Sequence, residues 1–354
     1  MITWIDVIMN LKNQKDEVTP IKIDFYNGLS GIAMYYYYLY KVTKADKYKE
    51  VYKMIIDTVL NNGSIKEMLS PFWGRCSLLH FLLLLYKDEH KYLNRINEIY
   101  DYIEKNLENE SLPIDWLSGS AGLIQEVLNT YDLLGDDKYL KMADKLGKDM
   151  LAKIGRKEKT ELLGGMSHGA SGMSFILFRL WSYLKKDKYK DMAIELLEFD
   201  RSLFDKDKDG WIDKRKEPYD VAYNWCNGSI GIAMSRIMMS KYYKDSTMKK
   251  EIELAVEYTE NRIKNDDCLC HGNMGDIDFL LLCKKYVPEI QIDTLIEDKL
   301  KNIFSYKKYY GDFRVKSLPE LKAVGLFTGL CGIGYELLRV AFPDEVPSVL
   351  TLDI

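Results

Sequence analysis

A short Gly-x-x-Gly element followed by an apolar stretch recurs along the whole chain, and this repeat constrains the fold more than any other feature. The first glycine of each copy stands at position 28, 74, 119, 169, 228, 272 or 329, and Ser77 replaces the second glycine of the second copy. Charged segments with helical periodicity separate the copies. Each repeat therefore predicts a helical hairpin, with an apolar helix after the glycines and an amphipathic helix before the next copy.

The alternation of two helix types predicts how the hairpins are arranged. A helix that is apolar all round has to be buried, whereas an amphipathic helix can face water. Seven hairpins that close on themselves satisfy both, with the apolar helices in an inner ring and the amphipathic helices in an outer ring. We expect an all-α fold of the α/α toroid type, with about 14 helices and no obvious sheet, formed by residues 1–354 as a single domain. An open solenoid is the alternative.

Composition and charge exclude several classes of partner. The 354 residues carry a formal net charge of −4 with acidic and basic residues interleaved, so the chain offers no field that would gather nucleic acid or anionic membrane. Its apolar runs are shorter than the ~18 residues that cross a bilayer. The N-terminus lacks the pattern of a signal peptide. We expect no nucleic-acid partner, no transmembrane segment and a cytoplasmic location.

The repeat also predicts where chemistry can take place, because equivalent positions of all copies lie at the same end of a toroid. The residues just before each first glycine then form a ring around one mouth, next to the N-termini of the inner helices. Cys226 and Cys270 lie two residues before a glycine, and His271 lies one before. The first and last copies carry Tyr26–Asn27 and Phe327–Thr328 at these positions, with no metal ligand.

Two thiols and one imidazole at equivalent positions of adjacent copies make a Cys₂His set. Such a set is known for catalytic zinc, with the fourth position open to water or substrate. The sequence therefore predicts one Zn²⁺ ion per chain on Cys226, Cys270 and His271. Cys268 is an alternative fourth ligand that would close the site, but we expect its side chain to project away from the ligand face. Two thiolate ligands favour activation of a substrate thiol over activation of water.

A second histidine in the ring is a candidate proton carrier. His168 lies one residue before a glycine, and an imidazole titrates near neutral pH, as general acid–base work requires. Asp115 lies four residues before the glycine of the preceding copy and is the predicted partner that orients His168. In the structural alternatives, His168 is a helix-entry residue bonded to backbone and Asp115 is an N-terminal cap.

The remaining cysteines and histidines are assigned structural roles. Cys76, Cys283 and Cys331 lie in apolar, helix-like stretches, where buried free thiols are expected. His80 and His90 follow an apolar stretch and a charged turn, and we expect them to be structural or exposed.

The segments NWCNGSIGIAMSR, CLCHGNMGDIDFL and GLFTGLCGIGYELLRVAFPDEVPSVL resemble the lanthionine synthetase C-like cyclase family. The last segment is most similar to the C-terminal cyclase domain of class II (bifunctional) lanthipeptide synthetases. The resemblance extends from FYNGLSGIA to the final residues. It implies an α/α toroid and a single zinc ion on Cys226, Cys270 and His271, with a substrate thiol as fourth ligand.

The same resemblance implies a reaction, a substrate and further residue roles. A peptide cysteine would add in Michael fashion to dehydroalanine or dehydrobutyrine of a dehydrated precursor peptide, forming a lanthionine or methyllanthionine ring. His168 would protonate the resulting enolate or assist deprotonation of the cysteine, and Asp115 corresponds to the family's acidic residue near that histidine. Some members carry an arginine four residues before the first zinc cysteine. Ala222 stands there in this chain, and Arg215 is a candidate substitute.

The dehydratase region of a bifunctional enzyme is absent from the sequence, so we expect either an excised domain or a stand-alone partner of a separate dehydratase. Two other functions stay open. One is an enzyme that adds glutathione to dehydroamino acids. The other is a non-catalytic, zinc-stabilised scaffold that binds the precursor peptide or the dehydratase.

Overall fold

Helices dominate the computed structural model, which describes residues 3–10, 15–61, 69–107, 112–156, 161–215, 217–315, 317–318 and 321–354. Within these ranges the α-helices are α1 (Leu29–Thr43), α2 (Asp46–Leu60), α3 (Leu79–Glu89), α4 (Leu93–Asn106), α5 (Ser120–Leu134), α6 (Asp137–Ile154), α7 (Ala170–Leu184), α8 (Asp187–Ser202), α9 (Ser229–Met239), α10 (Ser246–Glu260), α11 (Asn273–Tyr286), α12 (Asp293–Tyr310) and α13 (Leu330–Ala341). A 3-10 turn, Arg75–Leu78, leads into α3. None of these helices is both long and apolar enough to cross a membrane.

The odd-numbered helices form a closed inner ring, because each packs against the next and α13 packs against α1. Each even-numbered helix packs against the helix before it. Inner helices are buried all round and outer helices on one face, as predicted. Every residue from 120 to 130 of α5 is buried, whereas α6 buries only one face, which carries Tyr139, Ala143, Leu146 and Met150. The predicted all-α toroid is confirmed, and the open solenoid is excluded by the contact between α13 and α1.

The prediction of about 14 helices is confirmed, whereas the expectation of no obvious sheet is wrong. The described residues hold 13 α-helices and three small antiparallel sheets. The strands are β1 (Ile5–Asn10) with β2 (Lys15–Pro20), β3 (Phe204–Asp205) with β4 (Gly210–Asp213) and β5 (Asp220–Val221), and β6 (Ser317–Leu318) with β7 (Leu321–Lys322). β1 and β2 precede α1, and the other strands are two to four residues long and lie in connections between helices, so they leave little periodic signal in the sequence.

In the seventh repeat, the segment after α13 stands at the point in the sequence where the other repeats continue into an outer helix. It turns inward, and Val349, Leu350 and Leu352 are fully buried. Its backbone is held by the inner helix α5, because Asn129 Nδ2 donates to Leu352 O at 2.9 Å. This segment lines a cavity of about 370 Å³ among the C-terminal halves of the inner helices. It therefore occupies the end of the toroid that lies opposite the inner-helix N-termini.

At the other end, the loops before the inner helices are joined to one another in sequence. The joining residue is the one two positions before each first glycine. Five of the seven links are backbone hydrogen bonds: Tyr26 N to Phe72 O (3.3 Å), Leu117 N to Ser167 O (2.9 Å), Ser167 N to Cys226 O (2.8 Å), Cys270 N to Phe327 O (2.9 Å) and Phe327 N to Tyr26 O (2.9 Å). In a sixth link, Ser70 Oγ donates to Leu117 O at 3.0 Å. We call this arrangement the loop ring.

The loop ring confirms that equivalent positions of the repeat lie around one mouth. Its seventh link, between Cys226 and Cys270, has no backbone hydrogen bond among the described residues. Among the described residues it is the one link without a hydrogen bond to a backbone carbonyl, and it lies where two cysteines face each other.

The glycines of the repeat are required chiefly by their own entering loops. A Cβ on Gly231 would lie 1.8 Å from Trp225 O of the same loop and 2.8 Å from Met166 Cβ of the preceding copy. The structure shows that the tighter contact is within each repeat, where the loop folds back over the first helical turn.

Gly231→Ala is accordingly expected to destabilise the fold by about 2–3 kcal/mol, because the added methyl group has no room beside a backbone carbonyl. Chemical unfolding monitored by circular dichroism measures the change. Gly155→Ala is the matched control, since its Cβ would meet its nearest neighbour, Leu151 O, at 3.5 Å. The control should change stability by less than about 0.5 kcal/mol. Equal stability of the two variants would contradict the assignment.

Candidate active site

The thiols of Cys226 and Cys270 meet at the gap in the loop ring. A hydrogen bond from the Cys270 thiol lowers the pKa of Cys226 to about 6, despite burial, and the positive charges of Arg215, His271 and His168 act in the same direction. The same contact raises the pKa of Cys270 well above its ordinary value. The contact therefore favours a single negative charge on the thiol pair over two.

His271 follows Cys270 directly, and its ring faces a carboxylate. His271 Nε2 lies 3.6 Å from Asp266 Oδ2, and the histidine side chain is 45% exposed. The interaction with Asp266 raises the pKa of His271. Burial favours the neutral form of Asp266, but the hydrogen bonds from His271 and Cys268 lower its pKa overall. Among the described residues, Asp266, Cys268 and His271 offer three metal-ligand atoms that all lie within 4.8 Å of one another.

The expectation that Cys268 projects away from the ligands is wrong, since its sulfur lies close to His271. Its sulfur accepts hydrogen bonds from the backbone N–H groups of His271 and Cys270, and burial is the main reason that its pKa is raised well above the ordinary value. Cys268 thus closes a turn within its own loop.

The same turn occurs in other copies with an oxygen in place of the sulfur. Cys268 stands four residues before its glycine, and the residues at that position of three other copies accept from a backbone N–H three residues later. These bonds are Asn27 N to Asp24 Oδ1 (2.9 Å), Ser118 N to Asp115 Oδ1 (2.5 Å) and Asn227 N to Asn224 Oδ1 (3.0 Å). In the second copy the residue is Ser70, whose Oγ accepts from Phe72 N at 3.1 Å. The position is one that caps the loop, which gives Cys268 a structural role.

His168 and Asp115 lie together on the loops that precede α7 and α5. His168 Nδ1 is 3.2 Å from Asp115 Oδ2, so the predicted contact is present. Asp115 also caps its own loop through Oδ1, which means that the structural alternative holds at the same time. His168 is 33% exposed, and it is close enough to Cys226 to contribute to the lowering of the pKa of that thiol. Their roles in proton transfer stay predictions.

Arg215 reaches the site from the connection between β4 and β5. Its guanidinium donates to Asp213, with Nε at 2.9 Å from Oδ1. The Asn227 amide, turned so that its oxygen faces the guanidinium, accepts from Arg215 Nη1 at 2.6 Å. Ala222 has no side chain that can do this, and its backbone N–H donates to Trp211 O of β4 at 3.3 Å. A cation therefore lies beside Cys226, although it comes from a different segment.

Sequence reasoning missed Tyr26. Its phenol O–H donates to Cys270 Sγ at 3.0 Å. A signal was available, because Tyr26 stands two residues before its glycine, the position that Cys226 and Cys270 occupy in their own copies. A cavity of about 120 Å³ opens beside Tyr26 and Trp73.

The other cysteines and histidines lie away from this site. Cys76 and Cys283 are buried thiols as predicted, while Cys331 is only partly buried. His80 is fully buried and pairs through Nδ1 with Glu126 Oε1 at 3.0 Å, which is a structural role.

The chemistry of the residues at the gap suits a zinc ion. Sulfur and imidazole ligands are the set that zinc prefers, and calcium or magnesium would require oxygen ligands. Cys226 and Cys270 present their sulfurs to each other from two rigid loops, and the neighbouring His271 is exposed enough to bind. Asp266 approaches only one ring nitrogen of His271, and a carboxylate is a common partner for the second nitrogen of a metal-binding histidine.

Comparison with known proteins points to one family. The profile of the family described as lanthionine synthetase C-like protein matches residues 19–351. The chain is similar to the lacticin 481/lactococcin biosynthesis protein LcnDR2 of Lactococcus lactis subsp. lactis, with 26% identity over 336 residues. That match covers 89% of this chain and 36% of LcnDR2, so the chain spans about a third of that protein.

Two further comparisons involve proteins of similar length. The nisin biosynthesis protein NisC of Lactococcus lactis subsp. lactis is 22% identical over 376 residues, with 86% of this chain and 88% of NisC covered. Among solved structures, a nisin cyclase superimposes with a TM-score of 0.73 at 16% identity, over 93% of this chain and 92% of that chain. At this identity the structural match shows a shared toroid fold.

Proposed function

The chain belongs to the lanthionine synthetase C-like family of cyclases, and on that premise we propose that it is a zinc-dependent lanthipeptide cyclase. A peptide cysteine loses its thiol proton, and its sulfur bonds to the β-carbon of dehydroalanine or dehydrobutyrine. A proton then adds to the α-carbon, so the peptide gains a thioether ring without a change in mass. The observation that carries the proposal is the meeting of two thiols at the gap of the loop ring, next to the His168–Asp115 pair.

Cys226, Cys270 and His271 are the proposed zinc ligands. A zinc ion on two thiolates and an imidazole would keep a bound substrate thiol deprotonated and nucleophilic near neutral pH. The contact between the two thiols supports this assignment, as does the commitment of Cys268 to its own loop. Asp266 is proposed as the group that holds the second ring nitrogen of His271, which leaves Nδ1 as the ligand atom.

His168 is the proposed proton carrier and Asp115 the residue that positions it. A hydrogen bond from Nδ1 to Asp115 Oδ2 fixes the imidazole tautomer and leaves Nε2 to exchange a proton with the peptide. The backbone N–H of Ser118 holds the other carboxylate oxygen, so Asp115 cannot turn away freely. This pair is suited to take the cysteine proton and to return a proton to the enolate carbon.

The proposed substrate is a dehydrated precursor peptide, and the proposed partner is the dehydratase that makes its dehydroamino acids, either fused to this chain or separate. The activity can be measured with a peptide that carries one cysteine and one dehydroalanine. With zinc-loaded protein, the peptide should lose its reaction with iodoacetamide at unchanged mass, faster than with protein stripped by a chelator.

Two other results would contradict the cyclase proposal. Glutathione adducts on the peptide, in place of rings, would identify an enzyme that adds glutathione. Peptide thiols that persist although the protein holds zinc and binds the peptide would identify a non-catalytic scaffold.

A further inference from the structure

We propose that Tyr26 is a positioning residue for the Cys270 sulfur, so that the two cysteines of the proposed zinc site are unequal ligands. The inference rests on the proposed zinc site and adds a residue that the repeat pattern alone does not assign. Its basis is the hydrogen bond from the Tyr26 O–H to Cys270 Sγ, at 3.0 Å between oxygen and sulfur.

The phenol is aimed at the sulfur by stacked aromatic rings. Tyr26 stacks on Phe327, with ring centroids 4.6 Å apart and planes inclined by 16°. It also contacts Trp73, with centroids 5.3 Å apart and planes inclined by 46°. A ring held between two neighbours has few other rotamers available, so the hydroxyl stays near the sulfur.

The closure of the toroid fixes the same geometry from the backbone. In the loop ring, Phe327 stands between Cys270 and Tyr26 and is hydrogen-bonded to both, at 2.9 Å on each side. Asn27 and Thr328, the residues that follow Tyr26 and Phe327, join the first and last repeats. Asn27 Nδ2 donates to Thr328 Oγ1 at 2.7 Å. Thr328 N donates back to Asn27 Oδ1 at 3.1 Å. The spacing between Tyr26 and Cys270 is therefore set by several independent bonds.

The two sulfurs consequently have different surroundings. Cys270 is 5% exposed and accepts a hydrogen bond from a neutral phenol. Cys226 is less buried and lies near the Arg215 guanidinium and the His168 imidazole. A hydrogen bond to a ligand sulfur withdraws electron density from it and fixes its direction, and partners of this kind typically change metal affinity or activity about 10–100-fold. Tyr26 thus makes Cys270 the anchored ligand and leaves Cys226 on the side of the proton carrier.

Tyr26→Phe tests the inference because it removes the hydroxyl and keeps the stacked ring. The matched control is Tyr243→Phe, whose ring stacks on Phe178 in a similar way, with centroids 4.6 Å apart and planes inclined by 12°. Each protein is loaded with cobalt(II) and its thiolate-to-cobalt charge-transfer band is recorded. Zinc affinity is measured by competition with a chromophoric chelator. Tyr26→Phe should move the band to lower energy and weaken zinc binding about 10-fold or more, whereas Tyr243→Phe should match the parent protein.

A second variant covers the case in which Tyr26→Phe folds poorly. Phe327→Leu keeps the phenol but removes the ring on which it stacks, and it should move the charge-transfer band in the same direction. An unchanged band and affinity in a folded Tyr26→Phe protein would overturn the inference and leave the proposed zinc site standing. If the parent protein itself shows no thiolate-to-cobalt band, the proposed site fails first.

Discussion

Replacing Cys226 by serine is expected to remove zinc from the purified chain and to abolish ring formation, while the fold is retained. Loss of one of three protein ligands leaves an incomplete site, and the remaining thiol and imidazole hold zinc weakly. The loop itself should survive, because its backbone is held by the bond from Ser167 N to Cys226 O at 2.8 Å. Metal content by mass spectrometry, circular dichroism and the peptide-thiol assay measure the three effects.

Cys268→Ser is the control that makes this experiment decisive. Ser70 occupies the equivalent position of the second copy and caps its loop through Oγ, so serine at 268 is expected to preserve the turn. The substitution removes the thiol of the alternative group formed by Asp266, Cys268 and His271. We expect the Cys268→Ser protein to keep its zinc. If it loses zinc while Cys226→Ser keeps it, the metal site is the alternative group.

His168→Asn is expected to slow ring formation by about 10²–10⁴-fold, the usual contribution of a general acid–base residue, with zinc content unchanged. Asparagine keeps a polar side chain next to Asp115 but cannot carry a proton between the thiol and the enolate. His90→Asn is a suitable control, since His90 lies outside the site in a left-handed conformation (φ 52°) that asparagine tolerates. Single-turnover rates on the dehydroalanine peptide provide the comparison.

Asp115→Asn separates the two roles of the aspartate. An amide oxygen can still accept from Ser118 N, so the loop cap should remain, while the negatively charged partner of His168 is lost. A rate between those of the parent and His168→Asn is the expected result. If His168→Asn forms rings at the rate of the parent protein, the assignment of His168 as proton carrier is wrong, whatever the effect at Asp115.

Local patterns in the sequence determined the architecture and the position of the site. A glycine followed by an apolar helix, repeated seven times with amphipathic segments between the copies, favours buried helices surrounded by amphipathic ones, since that arrangement removes the apolar faces from water. The repeat also placed Cys226, Cys270 and His168 at one mouth, because residues at equivalent positions of a closed array share one end. The contact between His168 and Asp115 followed from their places in adjacent copies.

Contacts that depend on closure of the ring were decided only by the tertiary structure. Tyr26 and Cys270 are 244 positions apart, and Asn27 and Thr328 are 301 apart; the repeat places them at one mouth but does not show which side chains touch. The direction of a side chain within a loop was likewise undetermined. The spacing of Cys268 from Cys270 predicted a side chain that projects away from the ligands, but its sulfur accepts hydrogen bonds from its own loop and lies close to His271. Periodicity records which face of a helix is buried, whereas these contacts depend on how the first and last repeats meet, and that is a property of the assembled toroid.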